Sequence, residues 1–399
     1  MSLTKVQGFL ANGLAAGIKQ NGNADLALIF SPVKCAAAAV YTTNKVQAAP
    51  VTITKEHLQD ELLQAIIINS GNANACTGAQ GIMDAREMCA LTAKGLHIAL
   101  EEIAVASTGV IGVALPMQAI RNNIISLVCG LSKDGGGKAA QAIMTTDTFS
   151  KEIYFEKEID GRKIAIGGMS KGSGMIHPNM ATMLAFLTTD VNIVPELLAK
   201  ALQKATKVSF NMLSVDGDTS TNDMAIIMAN GMASNQLIKE QNADYDTFCD
   251  LLTEACVTLA KMMAKDGEGA TKLLEVEVIN AKSFEDAKLA ALAIVKSSLV
   301  KSALFGEDAN WGRIICALGY SGCDFTPEHT DIWLKSEAGE ILTAQNGAGL
   351  QFDEEFASKI LAKDEVTFKI DLHTGTEKAT AWGCDLTYDY VKINGSYRS

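Results

Sequence analysis

Residues 171–183 read KGSGMIHPNMATM, and the apolar run MLAFL occupies residues 183–187. The first part combines glycines, a cation and a hydroxyl beside a small residue, and its glycines and proline favour an irregular turn over a helix or strand. The second part is a short apolar run of the kind that forms a buried strand. The sequence therefore predicts a permissive turn that leads into a core strand, with Thr182 at the junction behind the small residue Ala181.

Thr182 has two interpretations. A threonine hydroxyl is a poor nucleophile unless a base stands beside it, and its own α-amino group, with a pKa of about 7.7–8.0, can be that base. That amine is free only if the bond between Ala181 and Thr182 is cut. Taken alone, the stretch is weak evidence for a nucleophile, because a threonine beside an apolar strand is more often a core residue.

The composition excludes several classes of protein. The chain has 399 residues, 48% of them hydrophobic, and a formal net charge of -12. The hydrophobic content is ample for a large core, and the acidic balance argues against a nucleic-acid partner. The nine cysteines are an odd number without a Cys-x-x-Cys pair, which favours free thiols in a reducing compartment over disulfides or zinc. With no signal-peptide pattern and no apolar run long enough to span a bilayer, we expect a cytoplasmic protein with no membrane partner.

The pattern of apolar residues predicts a layered α/β protein. Short apolar runs predict strands at 26–30, 63–69, 103–107, 212–215 and 225–228, and alternation predicts another at 274–278. Helical periodicity predicts one helix that starts at a capping box, Asp84–Glu87, and another from Asp246 to about Ala264. The elements do not follow a strict βαβ rhythm. We therefore expect a layered α+β sandwich and not a doubly wound sheet.

Metal and phosphate motifs are incomplete. Asp216–Ser220 begins like a calcium loop, but the sixth position is Thr221 and the twelfth is Ile227. The five histidines are scattered, so no metal site is predicted. Asp134–Lys138 is rich in glycine but lacks the spacing of a phosphate loop, and a solvated turn is the better interpretation. Whether Lys171–Gly174 holds an anion stays open.

Two further stretches concern acyl chemistry. Gly168–Gly172 matches Gly-x-Ser-x-Gly, but the glycines and proline that follow disfavour the helix that a hydrolase nucleophile elbow needs. Ser107-Thr108-Gly109 follows a predicted strand, where a hydroxyl beside a glycine N–H can stabilise an oxyanion. An ordinary Thr-Gly turn is the alternative.

Taken together, the chain resembles the ornithine acetyltransferase (glutamate N-acetyltransferase) family of arginine biosynthesis. The resemblance covers essentially the whole sequence, and it rests on the number and order of its motifs. These are Gly8-Phe9, Gly17–Lys19, Asp25–Ile29, Asn69–Gly78, Ser107–Gly112, Met144–Thr148, Lys171–Met183, Ser214–Asp223, Asp266–Lys272, Gly306–Arg313, Ile393-Asn394 and Tyr397–Ser399.

The resemblance implies self-cleavage of the bond between Ala181 and Thr182. An α chain, 1–181, and a β chain, 182–399, would then build one intertwined globular unit. The expected fold is a layered sandwich that resembles N-terminal nucleophile hydrolases in layering but not in topology. The expected assembly is an α2β2 heterotetramer or a larger one.

The resemblance also implies the reaction and its residues. We expect acetyl transfer from N2-acetyl-L-ornithine to L-glutamate through an acetyl ester on Thr182, with Thr108 and Gly109 forming the oxyanion hole. The residues expected to bind substrates are Thr145, Lys171, Thr182, Glu268, Asn394 and Ser399. No cofactor is expected, and whether acetyl-CoA is a second donor stays open. Two rival hypotheses are an autoprocessed aminopeptidase or amidase of the same fold and a non-catalytic amino-acid-binding protein.

Overall fold

The apolar runs form the strands of a large mixed β-sheet. The computed structural model describes residues 3–177 and 183–396, so the predicted positions Ala181, Thr182 and Ser399 lie outside the described residues. Within these ranges, the first sheet contains β1 (Leu10–Leu14), β2 (Leu26–Tyr41), β3 (Leu62–Asn72), β4 (Ile103–Val110), β5 (Lys151–Ile159), β6 (Arg162–Lys171), β7 (Leu184–Thr189) and β8 (Met224–Ala229). The strand order is β4-β3-β2-β8-β7-β6-β5, and β1 pairs with β2 beside this path.

The strands of the first sheet are nearly continuous apolar runs because the sheet is mixed and both of its faces are buried. β3 is parallel to β4 and β7 is parallel to β8, whereas β2 is antiparallel to both β3 and β8. Alternate residues of β8 face opposite layers: Ala225 and Ile227 join one core cluster, and Ile226 and Met228 join another. Because both faces of the sheet are buried, neither face needs polar residues.

A second sheet follows in the C-terminal half of the chain. Its strands are β9 (Leu273–Ala281), β10 (Asp331–Ser336), β11 (Gly339–Gln345), β12 (Ala348–Gly349), β13 (Glu365–Asp371) and β14 (Glu377–Cys384). Their order is β12-β11-β10-β13-β9-β14. The predicted alternating strand at 274–278 lies within β9 and is confirmed.

Helices cover and separate the two sheets. In the described residues they are α1 (Ala49–His57), α2 (Gly78–Leu96), α3 (Met117–Cys129), α4 (Gly136–Ala142), α5 (Pro195–Val208), α6 (Ala243–Lys265), α7 (Phe284–Lys296), α8 (Ser298–Phe305), α9 (Trp311–Gly319), α10 (Glu354–Leu361) and α11 (Tyr388–Ser396). α6 lies between the sheets, because it contacts β5 and β6 of the first and β9 and β14 of the second. The layered α/β class predicted from the sequence is confirmed.

The predicted strand at 212–215 is wrong. A short 3₁₀ turn covers Phe210–Met212, and Leu213 forms only an isolated parallel bridge with Trp382 of β14. The Ser214 amide donates to the Trp382 carbonyl at 2.8 Å, and the Val215 amide donates to the Ile176 carbonyl at 2.7 Å. The side chains are buried, as the apolar pattern indicated, but the backbone bonds go to two separate partners instead of one neighbouring strand.

Two boundary predictions are also wrong. α2 begins at Gly78, so Asp84 lies inside the helix and accepts a 2.8 Å hydrogen bond from the Gln80 side chain instead of capping. The glycine-rich stretch 134–138 is not a solvated turn throughout, because α4 begins at Gly136. A Cβ on Gly135 would lie 1.7 Å from the Ala11 carbonyl oxygen, so glycine there permits close packing against β1.

The helix predicted at 246–264 is confirmed and is slightly longer. α6 starts at Ala243 because the side chain of Asn242 accepts a hydrogen bond from the Tyr245 amide and caps the helix. Among the described residues, no helix combines the length and the apolar character needed to cross a bilayer. All nine cysteines lie within the described ranges, and none is in a disulfide.

Candidate active site

Six of the predicted site residues line one cavity. They are Thr108, Gly109, Thr145, Lys171, Glu268 and Asn394. The cavity encloses about 710 Å³, open solvent at its mouth included. Met183 and Leu184, at the start of β7, also contribute to its wall. The structure therefore brings together residues that are separated by up to 286 positions in the sequence.

Gly109 lies directly against the backbone of Gly71 on the paired strand β3. Its φ is +134°, in the region that favours glycine, and Gly71 on the paired strand also has a positive φ of +95°. A Cβ on Gly109 would lie 2.3 Å from the backbone carbonyl carbon of Gly71. Only glycine fits at this position, which explains the Thr-Gly pair at the end of β4.

The Thr108 side chain is held at the cavity by its neighbours. The Ser107 carbonyl accepts a 2.9 Å hydrogen bond from the Asn222 side chain, and the Ser107 hydroxyl donates to Asn69 at 2.6 Å. The Thr108 hydroxyl oxygen accepts a 3.2 Å hydrogen bond from Lys171 Nζ. Because this bond uses an oxygen lone pair, the Thr108 hydroxyl hydrogen can still be donated into the cavity.

Lys171 is a buried cation at the end of β6. Burial lowers the pKa of its ammonium group, and the positive charge of Lys151 adds to that effect. The negative charges of Asp147, Asp223 and Glu268 oppose the shift. A lysine with this balance of neighbours can attract a substrate carboxylate as a point charge.

Asp147 organises the backbone around two of the predicted residues. Its carboxylate accepts hydrogen bonds from the Thr145 amide at 2.9 Å, the Gly172 amide at 2.7 Å and Lys151 Nζ at 2.6 Å. Burial alone would raise the pKa of this carboxyl group, but Lys171 and Lys151 outweigh burial and lower the pKa to about 2. Asp147 is therefore ionised throughout the neutral range.

Lys151 extends this contact to a third segment of the chain. Its Nζ lies 2.5 Å from the Asp266 carboxylate, and the Thr148 amide donates to the same carboxylate at 3.1 Å. The Asp266 carbonyl accepts a 2.6 Å hydrogen bond from the Ser173 hydroxyl, and the Glu268 amide donates to the Ser173 carbonyl at 3.0 Å. The loop after α6 is thereby fixed against the end of β6.

Glu268 and Asn394 meet at the mouth of the cavity. Glu268 follows the end of α6, as predicted, and its carboxylate accepts a 2.7 Å hydrogen bond from the Asn394 side-chain amide. A Cβ on Gly174 would lie 2.3 Å from the Glu268 carboxyl carbon, so this glycine makes room for the carboxylate. Asn394 belongs to the exposed helix α11.

Asp223 is a second acid that sequence reasoning missed. It lines the cavity with only 2% of its surface exposed, and its Oδ2 atom has no hydrogen-bond partner among the described residues. Burial raises the pKa of this carboxyl group well above its ordinary value, although Lys171 acts in the opposite direction. The motif Ser214–Asp223 was noticed in the sequence, but nothing in it distinguished this acid from Asp216 or Asp218.

Asp216 holds the chain that leads to the predicted cleavage site. Its carboxylate accepts hydrogen bonds from the Met175 amide at 2.6 Å and the Ile176 amide at 2.8 Å. Asp216, the first residue of the calcium-like loop, therefore binds backbone amides. Within residues 3–177 and 183–396, no group of three or more His, Cys, Asp or Glu side chains is placed to bind a metal ion.

A comparison with known families identifies the chain. The model of the ArgJ family matches residues 10–399. The chain belongs to the ArgJ family. This confirms the family predicted from the motifs, and with it the prediction of an acyltransferase of arginine biosynthesis.

Individual ArgJ relatives resemble the chain over its full length. It is 53% identical over 398 residues to the arginine biosynthesis bifunctional protein ArgJ 1 of Clostridium acetobutylicum, with 100% of this chain and 98% of that protein covered. It is 54% identical over 399 residues to the arginine biosynthesis bifunctional protein ArgJ of Symbiobacterium thermophilum, with coverage of 100% and 98%.

A solved ArgJ structure matches part of the chain. The crystal structure of the arginine biosynthesis bifunctional protein ArgJ from Bacillus halodurans is 49% identical, with a TM-score of 0.52. The match covers 54% of this chain and 100% of that chain. The roles of the individual ArgJ site residues remain predictions, although their shared cavity is an observation.

Proposed function

We propose that the chain is a self-cleaving acetyltransferase that transfers the acetyl group of N2-acetyl-L-ornithine to L-glutamate. One observation carries the proposal: the cavity that contains Thr108, Gly109 and Lys171 also includes Met183 in its wall. Met183 directly follows Thr182 in the sequence, so the proposed nucleophile is bonded to a residue of the cavity.

Self-cleavage creates the nucleophile in this proposal. The Thr182 hydroxyl attacks the Ala181 carbonyl carbon, the Ala181–Thr182 amide bond breaks, and the acyl group moves from nitrogen to oxygen. Water then hydrolyses the ester, which leaves a carboxylate on Ala181 and a free α-amine and hydroxyl on Thr182. The fragment 182–399 would hold 218 of the 399 residues. That fraction is close to the 54% of this chain that matches the solved Bacillus halodurans chain, all of which is covered.

Transfer proceeds in two half-reactions. The α-amine of Thr182 accepts the hydroxyl proton as the oxygen attacks the acetyl carbonyl, and ornithine leaves with a proton on its amine. The α-amine of glutamate then attacks the acetyl ester, which gives N-acetylglutamate and regenerates the threonine. Thr108 and the Gly109 N–H stabilise the oxyanion in both steps, and the loss of one such donor typically costs about 10²–10³ in rate.

The charged residues of the cavity suit both substrates. Lys171 attracts the carboxylate of acetylornithine or glutamate, and Thr145 adds a hydroxyl donor. Glu268 can hold a substrate ammonium group, with Asn394 orienting its carboxylate at 2.7 Å. Ser399 contributes to binding by family resemblance alone.

Three further parts of the proposal come from the family. No cofactor takes part. The curated relatives are named bifunctional, which favours a second activity, and acetyl-CoA-dependent acetylation of glutamate is the candidate. The two fragments assemble as α2β2 or larger in the cytoplasm.

Intact mass and N-terminal sequencing of the purified protein test the cleavage step. Two fragments, the second beginning Thr-Met-Leu-Ala, are expected from the wild-type chain and a single uncut chain from Thr182→Ala. Full cleavage of Thr182→Ala would overturn the assignment of the nucleophile. An uncut wild-type chain that stays inactive would instead point to a binding protein.

A transfer assay tests the reaction. Acetylornithine and glutamate are incubated with the cleaved protein, and N-acetylglutamate is measured. Hydrolysis of amino-acid amides without acetyl transfer would favour an aminopeptidase.

A further inference from the structure

We propose that Asp147 is a positioning residue of the active site, which fixes Thr145 and Lys171 and is itself fixed by Lys151 and Asp266. Asp147 does not line the catalytic cavity, so it acts through other residues. The inference rests on the proposed function for the identity of the substrates.

The hydrogen bonds of Asp147 reach two segments that each contribute a residue to the cavity wall. Oδ2 accepts from the amide of Thr145, and Oδ1 accepts from the amide of Gly172, which directly follows Lys171. A single carboxylate therefore sets the distance between two segments that each carry a predicted substrate-binding side chain. Displacing this carboxylate moves both segments.

Lys151 holds the Asp147 carboxylate in one orientation. Its side chain has no solvent exposure, and its Nζ lies 2.6 Å from Asp147 Oδ1 and 2.5 Å from Asp266 Oδ2. Asp266 begins the loop that contains Glu268, so this ion triad (Asp147, Lys151 and Asp266) joins three segments of the cavity wall. Asp147 and Lys151 precede the proposed cleavage site and Asp266 follows it, so the triad also crosses between the two fragments.

The burial of the triad indicates more than a contribution to stability. A buried ion pair often stabilises a protein no better than well-packed apolar side chains would, because its desolvation offsets the attraction. Three fully buried ionic side chains beside a cavity are thus better explained by the geometry and charge that they impose. The backbone contacts of Asp147 are directed at the two substrate-binding segments, which shows where that geometry is used.

Charge gives Asp147 a second effect on Lys171. The charged groups that face Lys171 are Asp147, Lys151, Asp223 and Glu268, and Lys19 lies near enough to interact with it. Loss of the Asp147 charge removes one of the negative neighbours that stabilise the protonated Lys171, so Lys171 releases its proton at a lower pH.

Asp147→Asn tests the proposal in the full-length, cleaved protein. Asparagine has nearly the same size as aspartate but carries no charge. Its NH₂ group is a donor and would face Lys151 or a backbone amide, which are donors as well. We expect KM for acetylornithine and for glutamate to rise about tenfold, the cost of one hydrogen bond to a charged group, with kcat changed less than about threefold. We also expect the alkaline limb of the kcat/KM profile to move to lower pH.

Asp331→Asn is the matched control. Asp331 is a buried carboxylate of the second sheet that accepts a 2.8 Å hydrogen bond from the Asn346 amide and contacts His373. The substitution also removes the charge of a buried, hydrogen-bonded carboxylate, but Asp331 does not line the cavity, so KM and the pH profile are expected to stay at wild-type values. An Asp147→Asn protein that is folded and cleaved but matches this control in both measurements would overturn the proposal.

A second variant covers the case in which Asp147→Asn does not fold. Lys151→Met keeps the length of the side chain and releases the Asp147 carboxylate. The same rise in KM is expected, and an unchanged KM in this variant would also count against the proposal.

Direct calorimetric binding of ornithine and glutamate separates the two proposals. If the wild-type protein transfers no acetyl group, the proposed function is wrong. If the variants nevertheless bind ornithine and glutamate more weakly than the wild type, the positioning role of Asp147 is supported.

Discussion

The side-chain amide of Asn394 donates a 2.7 Å hydrogen bond to the carboxylate of Glu268 and so joins helix α11 to the loop after α6. The same amide also contacts the Tyr390 carbonyl at 3.0 Å, which fixes its orientation on the helix. None of the described residues of α11 is buried. The helix is therefore held at the cavity mouth largely by polar contacts, and its sequence affects the site through this bond.

Asn394→Ala is expected to weaken substrate binding. A hydrogen bond to a charged group contributes about 1.5–3 kcal/mol, and solvent exposure at this position reduces the effect to roughly a threefold to tenfold rise in KM for acetylornithine. Initial rates over a range of substrate concentrations measure it. Lys392→Ala, on the same exposed helix, is the control, and an equal KM for the two variants would show that the bond has no role in binding.

Thr108→Val is expected to lower kcat by about 10²–10³ because it removes one donor from the oxyanion hole while preserving shape. KM should change little, since the developing charge exists only in the transition state. Thr108→Ser keeps the hydroxyl and should retain most of the activity. Rates of N-acetylglutamate formation compare them, and a Thr108→Val enzyme as fast as Thr108→Ser would remove this residue from the mechanism.

Gly109→Ala is expected to disrupt both activity and stability. The new Cβ would lie 2.3 Å from the carbonyl carbon of Gly71, and the backbone conformation itself is strained for alanine. Strain of this kind costs about 1–3 kcal/mol before the clash is counted.

Gly112→Ala isolates the effect of the clash. Gly112 also has a positive φ, +81°, but a Cβ there would meet no atom within 4 Å. Thermal unfolding should therefore show a smaller loss for Gly112→Ala than for Gly109→Ala. Equal losses would mean that the close approach of β3 and β4 is not what requires glycine.

Asp223→Asn is expected to raise stability at neutral pH. Burial raises the pKa of Asp223 well above its ordinary value, so the folded chain keeps a proton that the unfolded chain releases above a pH of about 3.9. Stability therefore falls as pH rises from that value toward the raised pKa. The asparagine variant lacks this ionisation, and its thermal midpoint should exceed that of the wild type more at pH 8 than at pH 4.

The exposed Asp134 offers a control for the pH series. Asp134→Asn makes the same chemical change at an exposed side chain and serves as the comparison for Asp223→Asn. If Asp223→Asn has the same slope as the wild type, the carboxyl group is not a buried acid with a raised pKa.

The sequence predicted the elements whose signals are local. Alternation in β9 and helical periodicity in α6 depend on neighbouring residues, and both elements lie where they were expected. The capping pattern at Asp84 predicted the wrong helix start because the same residue types also occur inside amphipathic helices. Residues 212–215 misled because an apolar run reports burial but does not show which backbone groups pair.

The site was predictable only in part, for a related reason. Family motifs selected Thr108, Lys171 and Glu268, and the structure places them in one cavity. The ion triad escaped notice because Lys151 and Asp266 are 115 residues apart, and each alone resembles an ordinary surface charge. Burial turns such charges into a network, and burial of a polar residue has no signature in the sequence around it.

The strand order of the first sheet has a consequence for the order of folding and cleavage. β7 and β8 follow the proposed cut, yet they lie between β2 and β6, which precede it. Neither fragment contains all the strands of the first sheet, so in the proposed maturation the intact chain would fold before it is cleaved. After cleavage, an unfolded molecule could refold only if its two fragments associated. The peptide bond that kept them at a high effective concentration would no longer be present. Refolding would then depend on protein concentration, whereas refolding of the precursor would not, and maturation would give the enzyme a single opportunity to fold as one chain.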